Sequence, residues 1–201
     1  MAHPLPEVWI ARHGETSWTI STQHTGRTDV PLTEDGEAEA LCLRRRLADI
    51  SFVRVWTSPL ARAQRTCDLA GFGDRAELEP DLREWDYGDF EGMTHAQILA
   101  RDPDWVVFRD GAPGGETVAD VSARADRVIA RLRALDGDTL LFGHGHFSRV
   151  LGARWIGLPV AGAGLLLLAT AAVSVLGYDH GLDEPALRLW NDRHHLKGEA
   201  R

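Results

Sequence analysis

Two apolar runs in the sequence each end in a histidine that is followed by glycine. The first run ends in Arg12 and His13, and the second ends in His144. Unbroken runs of β-favouring residues are typical of buried central strands, and a glycine lets the chain turn sharply where a strand stops. Ligands bind at the carboxyl ends of strands in open α/β sheets. A fixed cation, Arg12, and an imidazole nucleophile, His13, at such a position therefore predict phosphate chemistry.

Two further side chains extend this set. Arg62 lies in the first turn of a predicted helix beside a strand end, and Glu84 lies in a loop of charged and aromatic residues. Phosphoryl transfer needs an in-line nucleophile, cations on the phosphoryl oxygens and an acid for the leaving oxygen. His13 is the candidate nucleophile, because neutral imidazole is competent near pH 7. Arg12, Arg62 and a protonated His144 would hold the phosphoryl group, and Glu84 would protonate the departing alkoxide.

This set predicts a reaction without a metal or a cofactor. The arginines and the histidine would neutralise the phosphoryl group, which is the work of a metal ion in other enzymes. The nine histidines and two cysteines show no zinc-type spacing. Cys42 and Cys67 fall in helix-like segments, and we expect them to be buried thiols.

Strands alternate with helices along most of the chain. Strands are predicted near residues 8–10, 52–57, 77–79, 138–142, 165–169, 174–178 and 186–189. Helices are predicted from Thr33 to Ala48, from Pro59 with Ser58 as its cap, and near 94–100, 116–135 and 146–156. The alternation predicts a three-layer α/β/α sandwich with a mostly parallel central sheet. The length of 201 residues suits a single domain over residues 1–201, with flexible tails at about 1–5 and 197–201.

Composition and charge limit the possible binding partners and the cellular location of the protein. The formal net charge of −8 argues against nucleic-acid binding, which requires a basic face. The first six residues lack the features of a signal peptide, so we expect a cytoplasmic protein. Residues 156–178 carry no charge, but Pro159 and four glycines interrupt them and their second half is typical of a buried strand. We therefore expect no membrane partner.

Five motifs occur in a fixed order along the chain. They are Arg12–Thr16, Thr25–Thr33, Ser58–Ala63, Leu82–Gly92 and His144–Gly145. Together they resemble the motifs of the histidine phosphatase superfamily, the phosphoglycerate-mutase-like group, over nearly the full chain. The resemblance implies that His13 is phosphorylated and that Glu84 is the proton donor. It also implies that phosphate is bound by Arg12, Arg62 and His144.

Three stretches look closest to the sedoheptulose-bisphosphatase-like branch of that superfamily. They are Leu82–Met93, Phe142–Arg149 and Gly177–Leu187. By this resemblance the substrate is a small phosphorylated metabolite, namely a sugar phosphate or bisphosphate. The implied substrate contacts are His24, Thr25, Tyr87, Arg149 and His180. His24 departs from the branch pattern, which more often has a tyrosine at this position.

Some alternatives stay open at this point. A phosphoglycerate-mutase-type phosphotransferase would need a longer lid over the site than 201 residues readily provide. A non-catalytic phospholigand-binding protein would have no need of the acid Glu84. His146 either contacts the site or is satisfied by neighbouring carbonyl groups. An uncovered sheet edge would allow a homodimer.

Overall fold

The computed structural model describes residues 5–197, so residues 1–4 and 198–201 of the predicted tails lie outside the described residues. Six strands form one sheet. They are β1 (Val8–Arg12), β2 (Arg54–Thr57), β3 (Glu77–Leu78), β4 (Thr139–Gly143), β5 (Val173–Tyr178) and β6 (Pro185–Asp192). Their order across the sheet is β3-β2-β4-β1-β5-β6.

The sheet is mostly parallel, as predicted. β2 runs parallel to β3 and β4, and β4 runs parallel to β1. β5 is the reversed strand, since it pairs antiparallel with both β1 and β6. Arg12 is aligned with Gly143, and Thr57 with Phe142. The carboxyl ends of β1, β2 and β4 therefore meet at one edge of the sheet.

Seven α-helices accompany the strands in the described part of the chain. They are α1 (Ser17–Ile20), α2 (Glu34–Leu47), α3 (Ala61–Leu69), α4 (His95–Leu99), α5 (Val107–Asp110), α6 (Val118–Leu132) and α7 (Gly145–Trp155). The side chain of Thr33 accepts the N–H of Gly36 and caps α2 at the predicted position. No helix in residues 5–197 has the length and apolar character needed to cross a membrane.

Helices cover both faces of the sheet. Ile10 packs on one face in a core that includes Val128 of α6 and Leu151 of α7. Its neighbour Ala11 packs on the other face with Leu43 of α2. Successive strand residues point to opposite faces, so two cores form on either side of one sheet. This arrangement confirms the α/β/α sandwich. Cys42 and Cys67 are both buried, and burial raises the pKa of the Cys67 thiol to about 12.

Two local predictions are wrong. The run 165–169 is not a strand: Leu165 is 83% exposed, and a 3-10 helix over Val160–Leu165 precedes an irregular segment. Its backbone groups bond to side chains instead, since the Leu167 carbonyl accepts the indole N–H of Trp190 at 2.7 Å. Ser58 does not cap α3, which begins at Ala61 without a side-chain cap. The hydroxyl group of Ser58 bonds to a histidine of the candidate site instead.

Candidate active site

The turn after β1 brings His13 to the edge where the strands end. Gly14 forms this turn against α2, and a Cβ atom on Gly14 would lie 2.2 Å from the carbonyl oxygen of Gly36. The N–H of Gly14 donates to the side chain of Thr66 in α3 at 3.1 Å. The absence of a side chain on Gly14 therefore lets the turn pack directly on two helices.

The imidazole of His13 is buried and has a defined tautomer. Its Nδ1 lies 2.8 Å from the carbonyl oxygen of Gly14. A carbonyl oxygen only accepts, so Nδ1 carries the hydrogen and Nε2 keeps its lone pair. Burial lowers the pKa of His13 well below its usual value, and the charges of Arg62 and Arg12 lower it further. His13 therefore presents a neutral, unprotonated Nε2 near pH 7.

Arg62 is held in place by the loop that precedes α2. Its terminal nitrogens donate to the carbonyl oxygens of Thr25, Gly26 and Thr28 at 2.9–3.0 Å. Arg12 donates from Nη1 to the carbonyl oxygen of Leu168 at 2.5 Å. These backbone contacts orient both guanidinium groups without neutralising their charge. Burial lowers the pKa of both arginines, but a guanidinium stays charged in proteins.

His144 follows β4 directly and lies beside His13. The two ring centroids are 5.3 Å apart. Nε2 of His144 lies 2.7 Å from the hydroxyl oxygen of Ser58. Burial lowers the pKa of His144 well below its usual value, with further contributions from Arg62 and His13. The site without ligand thus holds a neutral His144 near pH 7, which differs from the protonated state predicted from the sequence.

Three buried nitrogens in this group lack a hydrogen-bond partner. They are Nε of Arg12, Nε of Arg62 and Nδ1 of His144. Only two other side-chain atoms of the described residues are in this condition, on Trp9 and His195. A buried polar group without a partner costs about 1–3 kcal/mol. Three such nitrogens on residues grouped around one histidine are what a site for an oxyanion would contain.

The carboxylate of Glu84 is fixed by backbone groups at the start of α7. Its Oε1 accepts the N–H of Trp85 at 2.9 Å and of Phe147 at 2.7 Å. Its Oε2 accepts the N–H of His146 at 2.9 Å. The side chain is buried next to the cavity described below. Oε2 has the larger remaining capacity to carry a proton, because it accepts one hydrogen bond and Oε1 accepts two.

A cavity of about 500 Å³ opens over these groups. Arg12, His13 and Glu84 line it, whereas Arg62 and His144 are fully buried and are not among its lining residues. Four predicted substrate contacts also line it, namely His24, Thr25, Tyr87 and Arg149. His146 is in the wall as well, and its Nδ1 is hydrogen-bonded to the hydroxyl of Tyr87.

The prediction for His180 is not supported by its position. β5 is reversed, so the turn after Tyr178 lies at the opposite edge of the sheet from His13. The imidazole of His180 is exposed there and lies 3.2 Å from Asp179 and 3.1 Å from Glu184. Its sequence neighbourhood resembles a family segment, but this reversal takes His180 away from the cavity.

Several wall residues carry no signal in the sequence. They are Thr19, Thr22, Gln23, His95, Leu168 and Thr170. His95 is the first residue of α4, and its ring centroid lies 6.4 Å from that of His24. A single histidine after a helix cap has no distinguishing pattern, so only the fold reveals it. A second cavity of about 520 Å³ adjoins the first and shares His24, His95, His146 and Arg149 with it.

The comparisons with known proteins identify the family of the chain. A model of the histidine phosphatase superfamily (branch 1) matches residues 8–193. The chain belongs to this superfamily of enzymes, which hydrolyse phosphate esters.

Two curated relatives and one solved structure illustrate the similarity. An acid phosphatase of Mycobacterium tuberculosis is 39% identical over 182 residues, which cover 89% of each chain. Sedoheptulose 1,7-bisphosphatase of Saccharomyces cerevisiae is 36% identical over 187 residues, covering 77% of this chain and 69% of the relative. A solved structure from M. tuberculosis matches with a TM-score of 0.87 at 37% identity, covering 92% of this chain and 97% of the other.

Proposed function

We propose that this chain is a phosphomonoesterase that hydrolyses a small phosphorylated metabolite through a phosphohistidine at His13. The observation that carries the proposal is the group of three buried, partnerless nitrogens on Arg12, Arg62 and His144. A phosphoryl group bound against His13 would accept hydrogen bonds from all three. The cost of burying these groups without partners is then offset when substrate binds.

In the first step, the lone pair on Nε2 of His13 attacks phosphorus and the ester P–O bond breaks. The bonding electrons leave with the alcohol oxygen, which takes a proton from Oε2 of Glu84. In the second step, a water molecule gives one of its own protons to the Glu84 carboxylate while its oxygen attacks phosphorus. The P–N bond breaks, its electrons return to His13, and inorganic phosphate leaves.

The two arginines supply the positive charge that this reaction needs. Both guanidinium groups are buried, and their charges act through a medium that screens them less than water does. Charge that spreads over the phosphoryl oxygens in the transition state is therefore stabilised by the protein itself. We propose on this basis that the reaction proceeds without a metal ion.

The residues that line the cavity support the proposal that the substrate is a sugar phosphate or bisphosphate. Arg149 lines the cavity, and no carboxylate among residues 5–197 lies within 4.0 Å of its guanidinium group. Its charge is thus available to a second anionic group of a substrate. Thr25, His24 and Tyr87 add polar atoms for hydroxyl groups. The relative named sedoheptulose 1,7-bisphosphatase points to the same substrate class.

The decisive assay is phosphate release in excess EDTA across sugar monophosphates, sugar bisphosphates and phosphoglycerates, with His13→Ala as the blank. We expect turnover of sugar bisphosphates that EDTA does not reduce. Isomerised phosphoglycerate without phosphate release would instead identify a phosphotransferase. Tight binding of these compounds without any turnover would identify a phospholigand-binding protein.

A further inference from the structure

Ser58 and His144 lie at the carboxyl ends of two adjacent strands. Each is the first residue after its strand, and these strands, β2 and β4, are neighbours in register. The N–H of Ser58 donates to the carbonyl oxygen of Phe142 at 2.9 Å, which fixes the serine beside the end of β4. Both side chains have 0% exposure. The contact of 2.7 Å between the Ser58 hydroxyl and Nε2 of His144 is therefore shielded from water.

The donors and acceptors of this pair can be counted. The Ser58 oxygen accepts the N–H of Leu60 at 3.3 Å, and its own hydrogen needs an acceptor. Nε2 of His144 is the acceptor that the described residues provide. A neutral imidazole has one N–H, so donation by Ser58 to Nε2 puts that hydrogen on Nδ1. The opposite tautomer would leave the serine hydrogen without an acceptor.

We propose that Ser58 is a positioning residue that holds His144 in its Nδ1–H tautomer, so that a neutral imidazole donates a hydrogen bond to the transferring phosphoryl group. Nδ1 is the buried His144 nitrogen that has no partner among the described residues. The inference rests on the proposed function, because it assigns this partnerless nitrogen to a phosphoryl oxygen. In the other tautomer, Nδ1 would present a lone pair to an anionic oxygen and repel it.

This role removes the need for a charged histidine in a crowded cationic site. Arg12, Arg62 and His13 surround His144 and disfavour a further positive charge on it. A neutral N–H donor still stabilises charge on the phosphoryl oxygens. Ser58 thereby acts through His144 and touches neither the substrate nor the reacting atoms.

The tautomer can be observed directly and without turnover. In protein labelled with ¹⁵N-histidine, long-range ¹H–¹⁵N spectra at pH 7.5 distinguish a protonated from an unprotonated ring nitrogen. The His144 signal is assigned by its loss in His144→Ala. We expect Nδ1 protonated and Nε2 unprotonated in the wild type, and a loss of this preference in Ser58→Ala. A wild-type His144 with its hydrogen on Nε2 overturns the inference.

Vanadate is an oxyanion that resembles a phosphoryl group during transfer. Its binding tests whether Ser58 supports the hydrogen bond from His144 to such a group. We expect Ser58→Ala to weaken vanadate binding and lower kcat about tenfold. Ser174→Ala is the matched control, because Ser174 is an equally buried serine that accepts a backbone N–H at 3.0 Å. It should alter thermal stability without changing the vanadate affinity or the His144 tautomer. Equal effects of both substitutions on vanadate would reduce Ser58 to a structural role.

Two amide substitutions locate the donating atom. The side-chain nitrogen of Asn overlays Nδ1 of a histidine, whereas that of Gln overlays Nε2. We expect kcat/KM of His144→Asn to be at least tenfold higher than that of His144→Gln. His144→Ala, which has no donor at either position, gives the reference value. The reverse order would overturn the assignment of Nδ1. If none of the proteins, wild type included, hydrolyses a phosphomonoester, the proposed function fails while the spectra still decide the tautomer.

Discussion

The Oε1 atom of Glu84 accepts the backbone N–H of Phe147 at 2.7 Å, which ties the proposed acid to the first turn of α7. His144 is the N-cap residue of the same helix. One helix start therefore positions both the proposed proton donor and the proposed phosphate-binding histidine. A shift of α7 would move the two groups together, which preserves their relative geometry.

Glu84→Gln is expected to slow hydrolysis in a way that depends on the leaving group. An alkoxide needs a proton as it departs, whereas an aryl oxide is a stable leaving group, so loss of the acid affects alkyl esters most. We expect kcat/KM for a sugar phosphate to fall about 10²–10⁴-fold and for p-nitrophenyl phosphate to fall far less. Steady-state kinetics with both esters measures the difference. Equal losses would contradict the assignment of Glu84 as the general acid.

His13→Ala should abolish turnover and leave the fold intact. Without Nε2 there is no atom to form the phosphoenzyme, and we expect kcat to fall by at least about 10³-fold. His195→Ala is a suitable control, because the His195 ring bonds to the carbonyl of Ala171 at 3.1 Å and lies outside the cavity lining. Retention of activity within tenfold of the wild type in His13→Ala would disprove its role as the nucleophile.

Arg149→Met tests the choice of substrate. The guanidinium group donates to the carbonyls of Ala163 and Gly164 at 3.0 and 3.1 Å and keeps its charge beside the cavity. Hydrogen bonds to charged groups contribute about 1.5–3 kcal/mol, so we expect kcat/KM for a sugar bisphosphate to fall about 10–100-fold. The value for the corresponding monophosphate should change little.

His180→Ala provides the matched comparison for Arg149→Met. The exposed His180 lies at the opposite edge of the sheet, so this substitution should leave both substrates unaffected. A larger effect of His180→Ala than of Arg149→Met on bisphosphate hydrolysis would contradict the placement of the substrate in this cavity.

Gly36→Ala should be strongly destabilising although alanine favours helices. A Cβ atom at Gly36 would lie 2.1 Å from the carbonyl oxygen of Glu15, in the segment that follows His13. Separating α2 from this turn requires movement of backbone atoms, and we expect a loss of about 1–3 kcal/mol in the free energy of unfolding. Urea unfolding measures it, and Ala38→Ser at an exposed position of α2 is the control. An unchanged unfolding midpoint would contradict this prediction, because it would mean that the turn can move away from α2 without a loss of stability.

Local sequence signals were sufficient for the elements that position His13. The strand that ends at Arg12 and the helix cap at Thr33 are both predicted from residues close to them in sequence, and the structure has both. The strand prediction for residues 165–169 was wrong because apolar residues alone do not indicate whether a segment can pair with a neighbouring strand. β5 already has β1 and β6 as neighbours, so no strand position beside it was open to that run.

Residues that depend on contacts between distant segments could not be predicted. Ser58 has the sequence signature of a helix cap, and its bond to His144 arises because β2 and β4 are neighbours in register. His95 reaches the cavity through the placement of α4. His180 lies in a segment that resembles a substrate-binding segment of the family, but the reversed direction of β5 places it away from the cavity. The positions of all three side chains relative to the cavity depend on how segments distant in sequence are arranged in the fold.

Acidification should destabilise the protein through its buried histidines. Burial lowers the pKa of His13, His144 and His146 well below 6.5, whereas an unfolded chain titrates near that value. Below pH 6.5 the unfolded state binds protons that the folded state does not, so the free energy of unfolding falls as pH falls. Each group contributes a slope of up to about 1.4 kcal/mol per pH unit between its two pKa values.

The measurement is the midpoint of thermal unfolding at pH 7.5 and 5.5, above the range in which most carboxylates titrate. We expect a clearly lower midpoint at pH 5.5 and a smaller difference in His146→Gln, which lacks one of the three groups. His194→Gln, at an exposed position, should retain the wild-type difference. Equal midpoints at the two pH values in the wild type would contradict this prediction, because they would require these histidines to bind protons equally well in the folded and unfolded states.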